Sequence, residues 1–284
     1  MFWYWWLLVV VLVLAAAAGL AWLAVWLFSL RTRKPKPIHQ TTFQTWYGIV
    51  NSWANDAKLM DKVVDECADA GVSGIHIELC GWARYDAWTP DWVAKTAKAY
   101  RRLVRRCRRR GLWLFVSVAN DNMGSRKYGD PGIKLASVYD AVLQLVAVIR
   151  DEGSDNVIVQ PTGETQTPAG VRLERDCIEM LKGFPLVYNG AMGRPKGIPA
   201  GFAWRAWHPF KVSDNPPNDA IVVSDTGSIV LQLGGGYNTP ANPADLETWA
   251  RRISNCGCPV ACYYAFLYHG LDKPAIKALG QAAE

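Results

Sequence analysis

The apolar positions along this chain change their period twice. Residues 2–30 carry no Asp, Glu, Lys, Arg or His. Roughly 20 apolar residues at a rise of about 1.5 Å each cross a hydrocarbon core, so the run predicts one transmembrane helix with length to spare. Its ends hold interfacial aromatics, Trp3, Tyr4, Trp5 and Trp6 at one and Trp22 and Trp26 at the other. A cleaved signal peptide would need a basic leader, a shorter core and a small-residue cleavage site. No Lys or Arg precedes the run, and it closes on Trp26-Leu27-Phe28-Ser29-Leu30. Residues 1–30 therefore read as an anchor, and the basic, proline-containing stretch within 31–41 as a linker.

From residue 42 onward, short runs of period two alternate with helical stretches of period 3.6, the signature of βαβ units. Trp46–Trp53 predicts a first strand and Asn55–Ala70 its helix. Gly74–Cys80 is a second strand, with Ile75, Ile77 and Leu79 alternating against His76, Glu78 and Cys80. Thr89-Pro90-Asp91 is a helix start, with Thr as N-cap and Pro in the first turn, and Gly111 is its stop. Leu112–Ala119 and Val157–Gln160 predict strands three and four, with helices at Ile133–Arg150 and Ala169–Lys182. Leu186–Asn189, Phe202–Trp207, Ile221–Ser224 and Pro259–Phe266 predict strands five to eight, with helices at Pro243–Ser254 and Lys273–Ala282. Eight strands in this order predict an α/β domain over 42–284, a (β/α)8 TIM-type barrel. Only proline- and glycine-rich loops fit at Ala191–Gly201 and Lys211–Ala220, so two outer helices are expected to be missing. An open doubly wound sheet is the rival, but the glycine-rich phosphate turn after its first strand is absent.

Composition narrows the picture. The net charge of +6 is modest, and no zinc-finger, RNP-like or helix-turn-helix pattern occurs, so nucleic acid is not an expected partner. Cys67, Cys107 and Cys177 fall on helical stripes, where a thiol acts as a small hydrophobe. Cys256-Gly-Cys258 lacks the second half of a zinc knuckle, and no metal or cofactor is expected. Arg31, Arg33, Lys34 and Lys36 follow the apolar run, which places the globular domain on the cytoplasmic side of a single-pass membrane protein. Lys95, Lys98, Arg102, Arg105 and Arg109 form one helical stripe. A solvated outer face accounts for it most simply, and contact with anionic lipid is the alternative.

In a barrel, the carboxyl ends of the strands converge on one face. That rule selects Asn51, Trp53, Glu78, Trp82, Asn120, Asp121, Glu164, Asn189, Trp207, His208, Asp225 and Tyr264. Aromatic rings stack on the apolar faces of sugars, and carboxylates and amides bond their hydroxyls. Cleaving a glycosidic bond takes two carboxyl groups, one protonated and one ionised. Glu164 after strand four and Asp225 after strand seven are the natural pair.

Gly163-Glu164 and Ser224-Asp225-Thr226-Gly227, together with Trp207-His208 and Tyr264, resemble the site of the clan-A retaining glycoside hydrolases. The resemblance implies a barrel with Glu164 as acid/base, Asp225 as nucleophile, and a glycan as substrate. Three departures are visible. Asp stands where that family uses Glu, Gly precedes Glu164 where Asn is common, and two outer helices are missing. A non-catalytic barrel, a structural or binding module on a cell or viral membrane, is the competing expectation. A cytoplasmic domain also sits uneasily with a glycan substrate, since most glycans lie outside the cytoplasm.

Overall fold

In a computed structural model of the chain, the described residues are 2–31, 41–46, 56–80, 89–120, 135–163, 165, 167–190, 197–207, 213, 220–223, 242–256, 260–265 and 273–282. Helix α1 (Phe2–Arg31) is continuous, and Trp3–Trp22 within it is long and apolar enough to cross a membrane. Its described side chains are exposed, Trp3, Tyr4, Trp5, Trp6 and Trp22 among them. Apolar side chains left uncovered in this way are what a membrane-crossing helix and an N-terminal signal sequence both present.

The domain elements follow in the order β1 (Thr41–Trp46), α2 (Ala57–Asp69), β2 (Gly74–Cys80), α3 (Pro90–Arg110), β3 (Trp113–Asn120), α4 (Tyr139–Glu152) and β4 (Val157–Gly163). Then come α5 (Pro168–Met180), β5 (Val187–Tyr188), β6 (Trp204–Trp207), β7 (Ala220–Val223), α6 (Pro243–Asn255), β8 (Val260–Ala265) and α7 (Lys273–Ala282). The caps expected at α3 are in place. Thr89 accepts from the Trp92 N–H, Pro90 opens the helix, and Gly111 closes it in the left-handed region. Strand β1 differs from expectation. It occupies Thr41–Trp46, upstream of the apolar run at Trp46–Trp53, while residues 47–55 lie outside the described ones. A central strand held by two neighbours takes threonine and aromatic residues well, and that ladder outweighs the polar look of TTFQTW.

All eight strands form one parallel sheet in the order β4-β3-β2-β1-β8-β7-β6-β5. First and last strands pair directly, with Thr41 level with Val260 and Trp46 with Ala265. The two ends of this order also meet. Isolated parallel bridges join Val159 to Leu186 and Thr165 to Gly190, and the Val159 N–H donates to the Pro185 carbonyl at 3.0 Å. Between β5 and β6 the described residues form no helix, while 191–196 of the first expected loop and all but 213 and 220 of the second lie outside the described ones.

The main core lies between sheet and helices. Ile75, Ile77, Leu79, Leu114, Val116, Val118, Val157 and Val159 pack with Val63, Cys67, Leu103, Val104, Cys107, Val142 and Ile149 from the helices. Burial drives the Cys67, Cys107 and Cys177 thiols far above their ordinary pKa, which leaves them as inert packing groups.

Outside this core, α3 is joined to both neighbours by charge. Arg102, Arg106 and Arg110 stand four residues apart, as do Asp61, Asp65 and Asp69 on α2. Arg102 donates to both Asp61 oxygens at 3.1 and 2.6 Å, Arg106 pairs with Asp65, and Arg110 pairs with Asp69. On the other side Arg105 holds both Glu152 oxygens at 3.0 and 2.8 Å, and Arg108 donates to the Glu152 carbonyl at 3.0 Å. Of the basic stripe considered for lipid contact, Arg102 and Arg105 thus already hold carboxylates on α2 and α4, and Lys95 holds Asp91 at 2.8 Å. The hydrogen bonds from Arg102 keep the Asp61 carboxyl below its usual range, outweighing burial.

Helix α7 completes the domain against α2. A Cβ on Gly280 would lie 1.7 Å from the Ala70 carbonyl oxygen, so the two backbones touch only because this residue lacks one. Gly280→Ala is expected to lower unfolding free energy by about 1–3 kcal/mol, because backbone rather than a mobile side chain would have to move. Arg102→Ala should lower stability only slightly at neutral pH, because the pair it breaks is exposed to solvent. A carboxyl whose folded pKa is depressed stabilises above its unfolded value, about 3.9, and that contribution is lost as pH falls through the folded value. The difference between wild type and Arg102→Ala should therefore shrink on acidification, which denaturation of both proteins across pH 7 to 2 (roughly the span in question) would measure.

Candidate functional site

Parallel pairing puts every strand's carboxyl end on one side of the sheet, and there the structure aligns several of the expected residues. Asn120, the last residue of β3, is level with Gly163, the last of β4. Two residues on, Thr165 is level with Gly190, next to Asn189 beyond β5. The ends of β3, β4 and β5 thus form one edge carrying Asn120, Gly163, Thr165 and Asn189.

Thr165 is fixed from two sides. Its N–H donates to the Asn189 carbonyl at 3.0 Å, and its hydroxyl donates to the Glu174 carboxylate on α5. The Thr162 hydroxyl donates to the same carboxylate oxygen at 3.0 Å. Glu174 is only 9% exposed and Asn189 only 3%. A carboxylate so far inside the protein needs hydrogen bonds to offset its lost hydration, and the two threonines supply them. Near this cluster, Tyr188 packs against Phe202 with ring centroids 5.4 Å apart, and burial followed by the Glu174 charge raises its phenol pKa.

Below this edge the sheet's second face carries polar side chains among apolar ones. His76 and Ser117 are joined by a hydrogen bond of 2.6 Å, and the Gln160 amide donates to the same hydroxyl at 3.2 Å. His76 stacks on Phe115 with centroids 4.1 Å apart. Glu78, Ser117 and Gln160 lie level across β2, β3 and β4, so half-buried Glu78 stands in the row next above His76. Alternation along each strand explains the division. Ile75 and Ile77 face the helices, and His76 between them faces the other way.

The expected site residues divide accordingly. Glu78, Asn120 and Asn189 sit at or near the carboxyl ends of β2, β3 and β5, and Tyr264 is the penultimate residue of β8. Trp207 ends β6, but its side chain is buried to 9% exposure within the core cluster. The ring expected as a sugar platform thus exposes only a small part of its surface. Asn51, Trp53, Trp82, Asp121, Glu164, His208 and Asp225 lie outside the described residues. The pattern did not single out His76, Ser117, Gln160 or Glu174. Period two marks the first three as facing away from the core, and Glu174 looks like an ordinary polar position on an amphipathic helix.

No family profile matches this sequence, and no curated protein does. Solved structures do resemble it. An endo-β-1,4-mannanase from Thermotoga petrophila superposes with a TM-score of 0.53 at 10% identity, covering 86% of this chain and 76% of that one. A glycoside hydrolase family 5 protein from Bacteroides vulgatus gives a TM-score of 0.49 at 10% identity, covering 79% of this chain. The chain spans 57% of that protein's length and 60% of another glycoside hydrolase's. At this identity the likeness concerns the fold, an α/β arrangement of the glycoside hydrolase kind.

Replacing Ser117 with Ala removes the shared partner of His76 and Gln160 in a buried setting. A loss of about 1–3 kcal/mol is expected, the cost of leaving buried polar groups short of a bond. Thermal and denaturant unfolding of Ser117→Ala beside wild type would measure it.

Proposed function

We propose that this protein is a membrane-anchored glycoside hydrolase. In this reading α1 is the anchor, the stretch between Arg31 and Thr41 is a linker, and the chain from β1 onward forms a (β/α)8 barrel. The two bridges between β4 and β5, with the direct pairing of β1 and β8, support closure of the sheet into that barrel. The exposed apolar surface of α1 supports the anchor. Its basic flank favours a cytoplasmic domain, and hence a glycan reachable from that face.

One observation carries the catalytic part. The sheet is parallel throughout, so residues that follow β4 and β7 belong to the same end of it. Glu164 directly follows the last residue of β4, and Asp225 comes two residues after the last of β7. Carboxylates from those two positions are suited to flank one glycosidic bond. Asp225 would attack the anomeric carbon as the bond to the leaving oxygen breaks, while Glu164 gives that oxygen its proton. Water would then attack the glycosyl ester with Glu164 as base, restoring both carboxyls. Such a sequence retains anomeric configuration and needs carboxyls about 5–5.5 Å apart, whereas about 6.5–9.5 Å gives inversion. Glu78, Asn120 and Asn189 would contact sugar hydroxyls from the neighbouring strand ends.

The test is hydrolysis of a panel of β-mannans, β-glucans and other glycans by the full chain in detergent. Glu164→Gln and Asp225→Asn should each lower turnover by about 10²–10⁴-fold, the usual worth of such a group, with the fold intact. Proton NMR of the first product should show retained configuration. No hydrolysis by wild type, with glycan binding preserved, would instead establish the non-catalytic module. For the anchor, extraction from membranes should require detergent, and protease added to sealed inside-out vesicles should digest the domain.

A further inference from the structure

Glu174 belongs to α5, on the helix side of the sheet. Its carboxylate nevertheless accepts hydroxyls from Thr162 and Thr165, one on each side of the Gly163-Glu164 dipeptide. We propose that Glu174 is a positioning residue, a buried clamp that fixes the carboxyl end of β4 so that Glu164 is held in place for proton transfer. The functional half rests on the glycosidase reading, and the structural half stands without it.

Three observations favour a clamp over ordinary packing. First, both threonine hydroxyls converge on one oxygen, Oε1, of a residue 9% exposed, where a carboxylate is costly to bury and would be replaced by a hydrophobe if volume alone mattered. Second, β4 ends at Gly163, and among the described residues beyond it an isolated bridge between Thr165 and Gly190 continues the pairing. That bridge includes the Thr165 N–H bond to the Asn189 carbonyl, so the hydroxyl and the amide of one residue tie it both to α5 and to β5. Third, α5 is itself set at this point by Thr167, whose hydroxyl accepts from the Gly170 N–H at 3.2 Å and caps the helix. Glu174 therefore closes a short loop from β4 through the α5 cap and back to β4. Displacing a catalytic group by about 1 Å can cost on the order of 10²-fold in rate, which is the scale on which such a clamp matters.

The experiment compares wild-type full chain in detergent with Glu174→Ala, Glu174→Gln, Thr165→Val and Thr165→Ser. Hydrogen exchange of the Thr165 amide is the first readout. Glu174→Ala and Thr165→Val should speed it at least tenfold, while amides of Ile75–Leu79 and Leu114–Val118 keep wild-type rates. Glu174→Gln and Thr165→Ser, which keep an acceptor or a hydroxyl, should remain within about threefold of wild type. On a hydrolysed glycan, the second readout, Glu174→Ala and Thr165→Val should lower kcat at least tenfold with KM within twofold. They should also move the basic limb of the pH–rate profile, which reports the acid Glu164; a merely stabilising contact would leave that limb where it is. Unchanged Thr165 exchange in Thr165→Val and Glu174→Ala overturns the clamp, whatever the activity. Faster exchange with unaltered kcat and pH profile overturns the positioning role and leaves a structural tie. Wild-type inactivity on every glycan, with the exchange pattern as expected, refutes the glycosidase reading and with it the catalytic half, but keeps the clamp. Should Glu174→Ala fail to fold, the isosteric Thr165→Val decides alone.

Discussion

Parallel pairing of all eight strands is the constraint from which the rest of this structure follows. A parallel strand cannot be reached by a tight turn, so each connection must travel back along the outside of the sheet, and where space allows it does so as a helix. Consecutive helices then run in the same direction. For α2 and α3 this brings two stripes of period four side by side in constant register. Asp61 meets Arg102, Asp65 meets Arg106, and Asp69 meets Arg110, each pair the same distance apart in sequence. Antiparallel helices could match one such pair, but not three in ascending order. The arginine density of α3 is thus a consequence of direction, because that helix faces acidic partners on α2 on one side and Glu152 on the other.

The same constraint sorts the two faces of the sheet. Helices cover one face and fill it with Ile, Leu and Val, together with thiols that burial has made unreactive. On the other face stand His76, Ser117 and Gln160, each bonded to a neighbour across two adjacent rows beneath the strand ends. Polar groups buried there hold one another in fixed geometry, which a purely apolar interior would not require. The carboxyl edge above them, where Asn120, Thr165 and Asn189 lie level or nearly so, therefore rests on a rigid base.

Function is drawn from this edge rather than from likeness. The Thermotoga petrophila mannanase shares the arrangement of elements at 10% identity, and so small a fraction of common residues transfers no chemistry. The proposed glycosidase rests on sequence position: Glu164 and Asp225 follow β4 and β7 of a parallel sheet. Asp225 in place of a longer Glu makes the separation of the pair the quantity on which the mechanism turns.

Much of the fold was legible in the sequence, because it is written in local signals. Thr89-Pro90 and Gly111 bound α3, alternation around Ile75 and Ile77 marks β2, and the charge-free stretch from Phe2 to Leu30 marks α1. Strand β1 was not legible in the same way. Its polar sequence makes a strand only because β2 and β8 supply hydrogen bonds on both sides. Nor could pattern alone show that Trp207 would be largely buried, or that Arg102 and Arg105 would be claimed by Asp61 and Glu152. Those outcomes depend on which elements become neighbours. Glu174 is the clearest case. In sequence it is one polar residue on a helix, and only the tertiary structure, by bringing Thr162 and Thr165 to its carboxylate, makes its burial affordable. Local residue pattern determined the elements and the end of the sheet at which chemistry belongs. Long-range contact decided which side chains remain available there, because burial and pairing are properties of neighbours distant in sequence.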